Sequence, residues 1–461
     1  FPFALRGRLK RGVPMWKIVL GVFGRGASLA LFAVYVDQMM PWRLGQNLED
    51  GSWMSAQTKA QFAGLIAFGL LFLVYARFPK SWNEKLQLGL RVGGVVAAAC
   101  WLYFLRVPPE EYFTLESLHT VVRHKDIIIL VLANMAVFGA LIWLATKDKL
   151  NWRLASLVIW FGLLLTYRAN EPGVLPEGGA ALNEAGERLR QGNWLKSLVT
   201  LPAEIKIGEA SIPFNFFYNF DWTKYLFIVI PGTIVGDRLL HWMGERKANN
   251  GDGQGAWSRG QLWGISALTA GIVVIMTTIL YGWRDSDTMA MSIWVPIAAT
   301  VLCAGGWQLF KNPRSSSERF LTDLFKWAVF WLVIGLLFEP VKGGIKKDPS
   351  YMSYYFVTTS LSIFTLMAFT VWIDLFGYRK SFALLTMSGQ NPMIAYMGIR
   401  NILDPIRSLP ILFFTEKKTI GALANSLITA PWLRFLWGMI QTTILAAITS
   451  LFTKLKIFWR T

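Results

Sequence analysis

Residues 126–146 read DIIILVLANMAVFGALIWLAT, with one charge at the start and nothing ionisable after it. At about 1.5 Å per residue a helix of this length spans about 30 Å, the hydrocarbon thickness of a bilayer. A segment apolar on every side has no polar stripe to offer water, so it reads as a membrane-spanning helix. Comparable runs recur near 15–36, 60–76, 88–106, 152–168, 224–243, 261–281, 290–310, 323–340, 352–375, 381–403 and 431–453. The expected fold is all-α: a polytopic transmembrane helix bundle of about 10–12 spans forming one domain over 1–461.

Composition agrees, with 54% hydrophobic residues, 22 Trp and 32 Phe. The net charge of +18 could suggest nucleic acid, but the basic residues sit in short segments between the apolar runs. That is the positive-inside pattern of a membrane protein. It gathers Arg6, Arg8, Lys10 and Arg11 with Lys80, Lys85, Lys147, Lys149 and Arg153 on one side. Alternation adds Arg246, Lys247, Arg259, Lys311, Arg314, Arg319, Arg379, Lys380, Lys454, Lys456 and Arg460 to that side, placing the first and last segments in the cytoplasm. Lys342, Lys346, Lys347, Lys417 and Lys418 fall on the other side. Cys100 and Cys303 lie within apolar runs, and His119, His124 and His241 have no metal-ligand spacing, so no metal centre is expected.

The longest connection, 169–222, holds seven acidic residues against four basic ones and is expected to form an extracytoplasmic cap. Within it AALNEAGERLR has a surface-helix pattern, and the aromatic end FNFFYNFDW predicts packing or interfacial anchoring. The stretch YRANEPG, 167–173, places Arg168, Asn170 and Glu171 at an outer membrane edge, where capping and anchoring are the leading readings.

Ionisable groups inside spans cost several kcal/mol unless paired or wetted, which makes them informative. Arg25 lies mid-span in VFGRGASLA, either as a receptor for an anionic group or as half of an internal pair. In DWTKYLFIVIPGTIVGDRLLHW, residues 221–242, Pro231 and Gly232 are expected to interrupt the helix. Asp237 and Arg238 follow, lining a pocket or neutralised by a neighbouring helix.

The run SGQNPMIAYMGIRN, 388–401, places Asn391 and Pro392 as N-cap and first residue of a half-helix that starts about 15 Å deep. Its N-terminus would offer backbone N–H groups near the midplane, with Pro392, Tyr396 and Arg400 on one face and Arg400 in reach of Asp404. An ordinary proline-kinked span is the competing reading.

The run GYRKSFALLTMSGQNPMIAYMG, 377–398, resembles the late helix of bacterial proteins related to heparan-alpha-glucosaminide N-acetyltransferase, a family of transmembrane acyltransferases. FPFALRGRLKRGVPMWKIVLGVFGRGASLAL, 1–31, resembles the segment after that family's second helix, and YNFDWTKYLFIVIPGTIVGDRLL, 218–240, is similar to one of its middle helices. The resemblance implies transfer of an acetyl group from cytosolic acetyl-CoA to a sugar or glycan acceptor beyond a bacterial inner membrane. It makes Arg6, Arg8, Arg11 and Arg25 the candidates for the donor and Asp237, Arg238, Asn391, Tyr396 and Arg400 the candidates for the acceptor. The family's characteristic His lies between two helices that would precede Phe1, so no catalytic residue is assigned. Expected partners are membrane lipid and the glycan, with a homo-oligomer allowed and no nucleic acid. A secondary transporter built on broken helices, or an envelope scaffold docking through 169–222, are the alternatives.

Overall fold

A computed structural model describes residues 2–45, 48–49, 55–79, 81–107, 114, 125–168, 204–207, 210–213, 217–249, 251, 255–282, 289–339, 345, 350–409 and 419–459. Most of the 169–222 cap lies outside these residues, as do AALNEAGERLR, Asn170, Glu171, His119 and His124, and the lysines 342, 346, 347, 417 and 418.

The helices run α1 (Pro2–Lys10), α2 (Met15–Gln38), α3 (Pro41–Leu44), α4 (Ala56–Tyr75), α5 (Glu84–Arg106), α6 (Ile127–Ala145), α7 (Leu150–Arg168), α8 (Leu226–Ala248), α9 (Arg259–Gly282) and α10 (Met289–Gly306). They continue with α11 (Ser316–Phe338), α12 (Met352–Phe369), α13 (Ala383–Gly389), α14 (Pro392–Gly398), α15 (Asp404–Arg407), α16 (Ile420–Leu427) and α17 (Pro431–Lys454). Four short strands, β1 (Ala76–Arg77), β2 (Glu204–Ile207), β3 (Ala210–Pro213) and β4 (Phe458–Trp459), form two antiparallel pairs, β1 with β4 and β2 with β3. Ten helical segments among the described residues are long and apolar enough to cross a membrane. The chain is a multi-pass membrane protein with an all-α bundle.

The expected span 381–403 is broken, with α13 ending at Gly389 and α14 starting at Pro392. The span expected around Pro231 is not: α8 runs through Pro231 without a break. Pro231 is only the sixth residue of α8, after a 3-10 segment over Phe220–Tyr225, so it disturbs a helix start rather than a helix middle.

The chain divides into two compact units. Unit 1 comprises 1–26, 134–201 and 218–379; unit 2 comprises 27–133, 202–217 and 380–461.

Unit 1 is organised around α11 and α12. Gly335 lets their backbones approach, since a Cβ there would lie 2.7 Å from the Val357 backbone nitrogen. Aromatic rings fill the seam: Trp331 stacks on Phe356 with centroids 5.4 Å apart, and Phe310 on Phe325 at 4.2 Å. The start of α11 is a capping box of Ser315 and Glu318. Buried Glu318 also accepts the Trp257 N–H at 2.8 Å, which ties the 255–257 loop to the cap. Phe220, from the aromatic end of the cap segment, is buried against Trp160 and Tyr167.

Unit 2 is organised around Trp459, 2% exposed and ringed by Phe32, Phe68, Phe72 and Tyr75. Pairing of β1 with β4 sets Trp459 opposite Ala76 and so fixes the ring's depth. At the α13/α14 break, α17 adds side-chain hydrogen bonds to carbonyls of α13. The Thr453 hydroxyl donates to Met387 O at 2.9 Å, and Ser450 to Leu384 O at 3.2 Å.

Candidate functional site

In unit 1, α1 lies against α8, with Pro2 packed on Gly236. Leu5 joins Ile18, Val22, Ala140 and Trp143 in one buried cluster. This docking carries Arg6 to the α6–α7 turn, where it pairs with Asp148 at 2.8 Å. The adjacent polar groups form a buried knot. Arg153, 4% exposed at its side chain, donates to Asp237 Oδ2 at 2.6 Å, and the Trp143 indole N–H donates to the same oxygen at 3.1 Å. Both readings for Asp237 hold together: it is neutralised by Arg153 of a neighbouring helix, and with Arg238 it lines a cleft. Arg238 pairs with Asp323 at 3.2 Å.

A cleft of about 330 Å³ opens among these groups, lined by Arg6, Asp148, Lys149, Leu150, Arg153, Ile234, Asp237, Arg238 and His241. Four cationic side chains there face two carboxylates, so the cleft has a surplus of positive charge. A second cleft of about 320 Å³ shares Arg238 and His241 and adds Arg319 and Lys326. Of the residues expected to hold the donor, Arg6 lines this region. The others do not gather there: Arg8 lies against Gly21, and Arg11 bonds back to Gly7 O at 3.1 Å. Arg25 is exposed on α2 with no ion pair among the described residues.

The acceptor candidates separate. Asp237 and Arg238 belong to unit 1, whereas Asn391, Tyr396 and Arg400 belong to unit 2. Asn391 is fully buried, and its amide is committed to structure rather than to capping α14. Its Nδ2 donates to Thr453 Oγ1 at 2.8 Å and to Ile457 O at 3.2 Å, while Oδ1 accepts the Trp459 N–H at 2.9 Å. The pocket wall expected at Asn391 is therefore a packed joint, because the chain from α17 to β4 folds back onto the break.

Arg400 takes a different course. It sits in a π-helical turn, Ile399–Leu403, that docks on α4 where Asn401 Nδ2 donates to Gly64 O at 3.3 Å. Only glycine fits there, since a Cβ at Gly64 would lie 3.0 Å from Met39 O. The guanidinium of Arg400 lies over the Trp42 indole, 4.9 Å from the ring centroid, and touches Met40 Sδ at 3.7 Å. No carboxylate comes within ion-pair distance of it among the described residues. The expected partner, Asp404, pairs instead with Arg407 at 3.4 Å.

Trp42 is held by α3, which a charged network anchors. Arg106, buried, donates to Gln38 Oε1 at 2.8 Å and to Arg43 O at 2.7 Å, and Arg43 pairs with Asp37 at 3.3 Å. Between α3, α4 and the π turn lies a cavity of about 540 Å³, lined by Pro41, Trp42, Gly45, Gln57, Gln61, Arg400 and Asp404. Gln61 Oε1 is buried with no hydrogen-bond partner among the described residues. Burial pushes the Asp404 carboxyl up, against the opposing pull of Arg407 and Arg400.

Trp42, Gln57, Gln61 and the Arg106 network were not foreseen. Gln57 and Gln61 stand four apart on α4, a polar pair at helical spacing at the head of an apolar run, and that was the available signal.

Residues 1–177 match a family described only as a domain of unknown function, DUF5009. No curated protein and no solved structure matches the chain.

Proposed function

We propose that the protein is an integral membrane acyltransferase that takes an acetyl group from acetyl-CoA at the cytoplasmic face and passes it to a sugar or glycan acceptor. The cleft that gathers Arg6, Lys149, Arg153 and Arg238 carries the reading. A CoA molecule presents several phosphate charges, and these require a surplus of cations in a concave site. On the orientation favoured by the charge pattern, this cleft faces the cytoplasm of a bacterial inner membrane, where the donor is found. The buried Arg153 is committed to Asp237, while Lys149 is exposed at the cleft and offers a cation for phosphate.

Acyl transfer also needs a base for the acceptor and donors for the developing oxyanion, and neither is assigned to a residue here. The secondary-transporter alternative rested on two interrupted spans. The uninterrupted course of α8 and the committed amide of Asn391 give it less to stand on.

The test is acetyl-CoA binding and transfer of radiolabelled acetyl to aminosugars or a glycan by the protein in nanodiscs. Binding is expected, with Lys149→Glu weakening it about tenfold or more. Absence of both binding and transfer overturns the reading, and accumulation of an unmodified solute in proteoliposomes would replace it with transport.

A further inference from the structure

The cavity of unit 2 has features that packing alone does not account for. Arg400 places a guanidinium in it with no carboxylate in ion-pair range among the described residues, over the Trp42 indole at 4.9 Å from the ring centroid. A planar fork held in this way matches the two oxygens of a carboxylate or phosphate. Gln61 lines the cavity as well, and its Oε1 has no hydrogen-bond partner among the described residues. Gln57 adds an amide, and Asp404, already paired through Oδ1 to Arg407, keeps a second carboxylate oxygen to accept from a hydroxyl. Pro41 and the Trp42 ring complete an apolar wall. The volume of about 540 Å³ falls within the size range of small-molecule sites.

We infer that this cavity binds an acidic sugar, a ring with hydroxyl groups and one anionic substituent. Arg400 takes the anion, while the Gln57 and Gln61 amides and Asp404 meet the hydroxyls. The anion could be a carboxylate, as in a uronate, or a phosphate ester, and both are met by the same fork. The inference rests on the acyltransferase reading only in making this ligand the acceptor; the binding itself stands apart from it.

Binding is measured by calorimetry on the full chain in zwitterionic nanodiscs, using glucuronate, glucose 6-phosphate, glucose and glucosamine. One of the two acidic sugars is expected to bind saturably and about tenfold or more tighter than glucose, and the stronger of them identifies the anion. Arg400→Gln should erase that preference, and Gln61→Leu should weaken both acidic sugars several-fold while leaving thermal stability unchanged or raised. Equal binding of glucose and the acidic sugars, a preference for glucosamine, or an unchanged preference in Arg400→Gln overturns the inference. Should Arg400→Gln fail to fold, Gln57→Leu with Gln61→Leu supplies the same reading, and unaltered affinity there is equally fatal. Saturable acidic-sugar binding without any acetyl transfer would remove the acyltransferase reading and leave this site. Transfer that glucuronate and glucose 6-phosphate both fail to inhibit would do the reverse.

Discussion

The Trp459 N–H donates to the side-chain oxygen of Asn391 at 2.9 Å, so a strand residue closes a break in the helical ladder 68 residues earlier. Replacing Asn391 by Ala strands this N–H and the Ile457 carbonyl in a buried place and removes the bond that the Thr453 hydroxyl accepts, leaving only the one it donates to Met387 O. The expected cost is about 2–4 kcal/mol, seen as a lower melting temperature in detergent. The acetyl-CoA binding proposed for the cleft of unit 1 should survive at temperatures where the variant remains folded.

The buried pair of Arg153 and Asp237 yields a second expectation. Arg153→Ala leaves a carboxylate facing a low-dielectric wall and should cost about 3–5 kcal/mol, whereas a double apolar replacement of both should cost much less. A double-mutant cycle by thermal denaturation measures the difference. Additive losses would show that the two side chains act independently.

The α11–α12 seam gives a third. Gly335→Ala drives a methyl to 2.7 Å from the Val357 nitrogen, which only a helix shift can relieve. A loss of about 1–3 kcal/mol is expected, compared with little or none for Gly232→Ala, whose Cβ would meet nothing within 4 Å.

Lys125 provides a pH reading. Burial pulls its ammonium down to about 8, below the usual lysine value of about 10.4. The folded state then holds fewer protons than the unfolded state between these values, so this residue's unfavourable contribution is present below about pH 8 and fades as pH rises towards about 10.4. Amine-directed labelling followed by peptide mass mapping should show Lys125 reacting half-maximally near pH 8.

The spans were legible because bilayer length and apolarity are properties of contiguous sequence. The break at Gly389–Pro392 was legible for the same reason, since proline acts on its own helix. What the break faces was not: Thr453, Ile457 and Trp459 lie 62 to 68 residues away, and no local pattern announces that they return. Pro231 misled in the other direction, because its effect depends on where the helix begins, and the 3-10 turn before α8 moved that start towards it. Arg400 was singled out for sharing a face with Tyr396, but its true neighbours, Trp42 and Met40, come from about 360 residues earlier. The Arg106 network leaves no local signal, because Arg106 lies more than sixty residues from Gln38 and Arg43, its hydrogen-bond partners.

That network has a consequence for biogenesis. Gln38, Arg43 and Arg106 bond to one another, and Asp37 pairs with Arg43, all within one stretch of about seventy residues. Once α5 has left the translocon, Asp37 can offset Arg43, and the Gln38 amide and Arg43 carbonyl can take up the Arg106 guanidinium, without waiting for the rest of unit 2. Arg400 is synthesised almost 300 residues later, after every helix of unit 1. A half-built floor must therefore persist in the bilayer while another unit is threaded in, and it can do so because its charges are settled before the guanidinium that completes the cavity arrives.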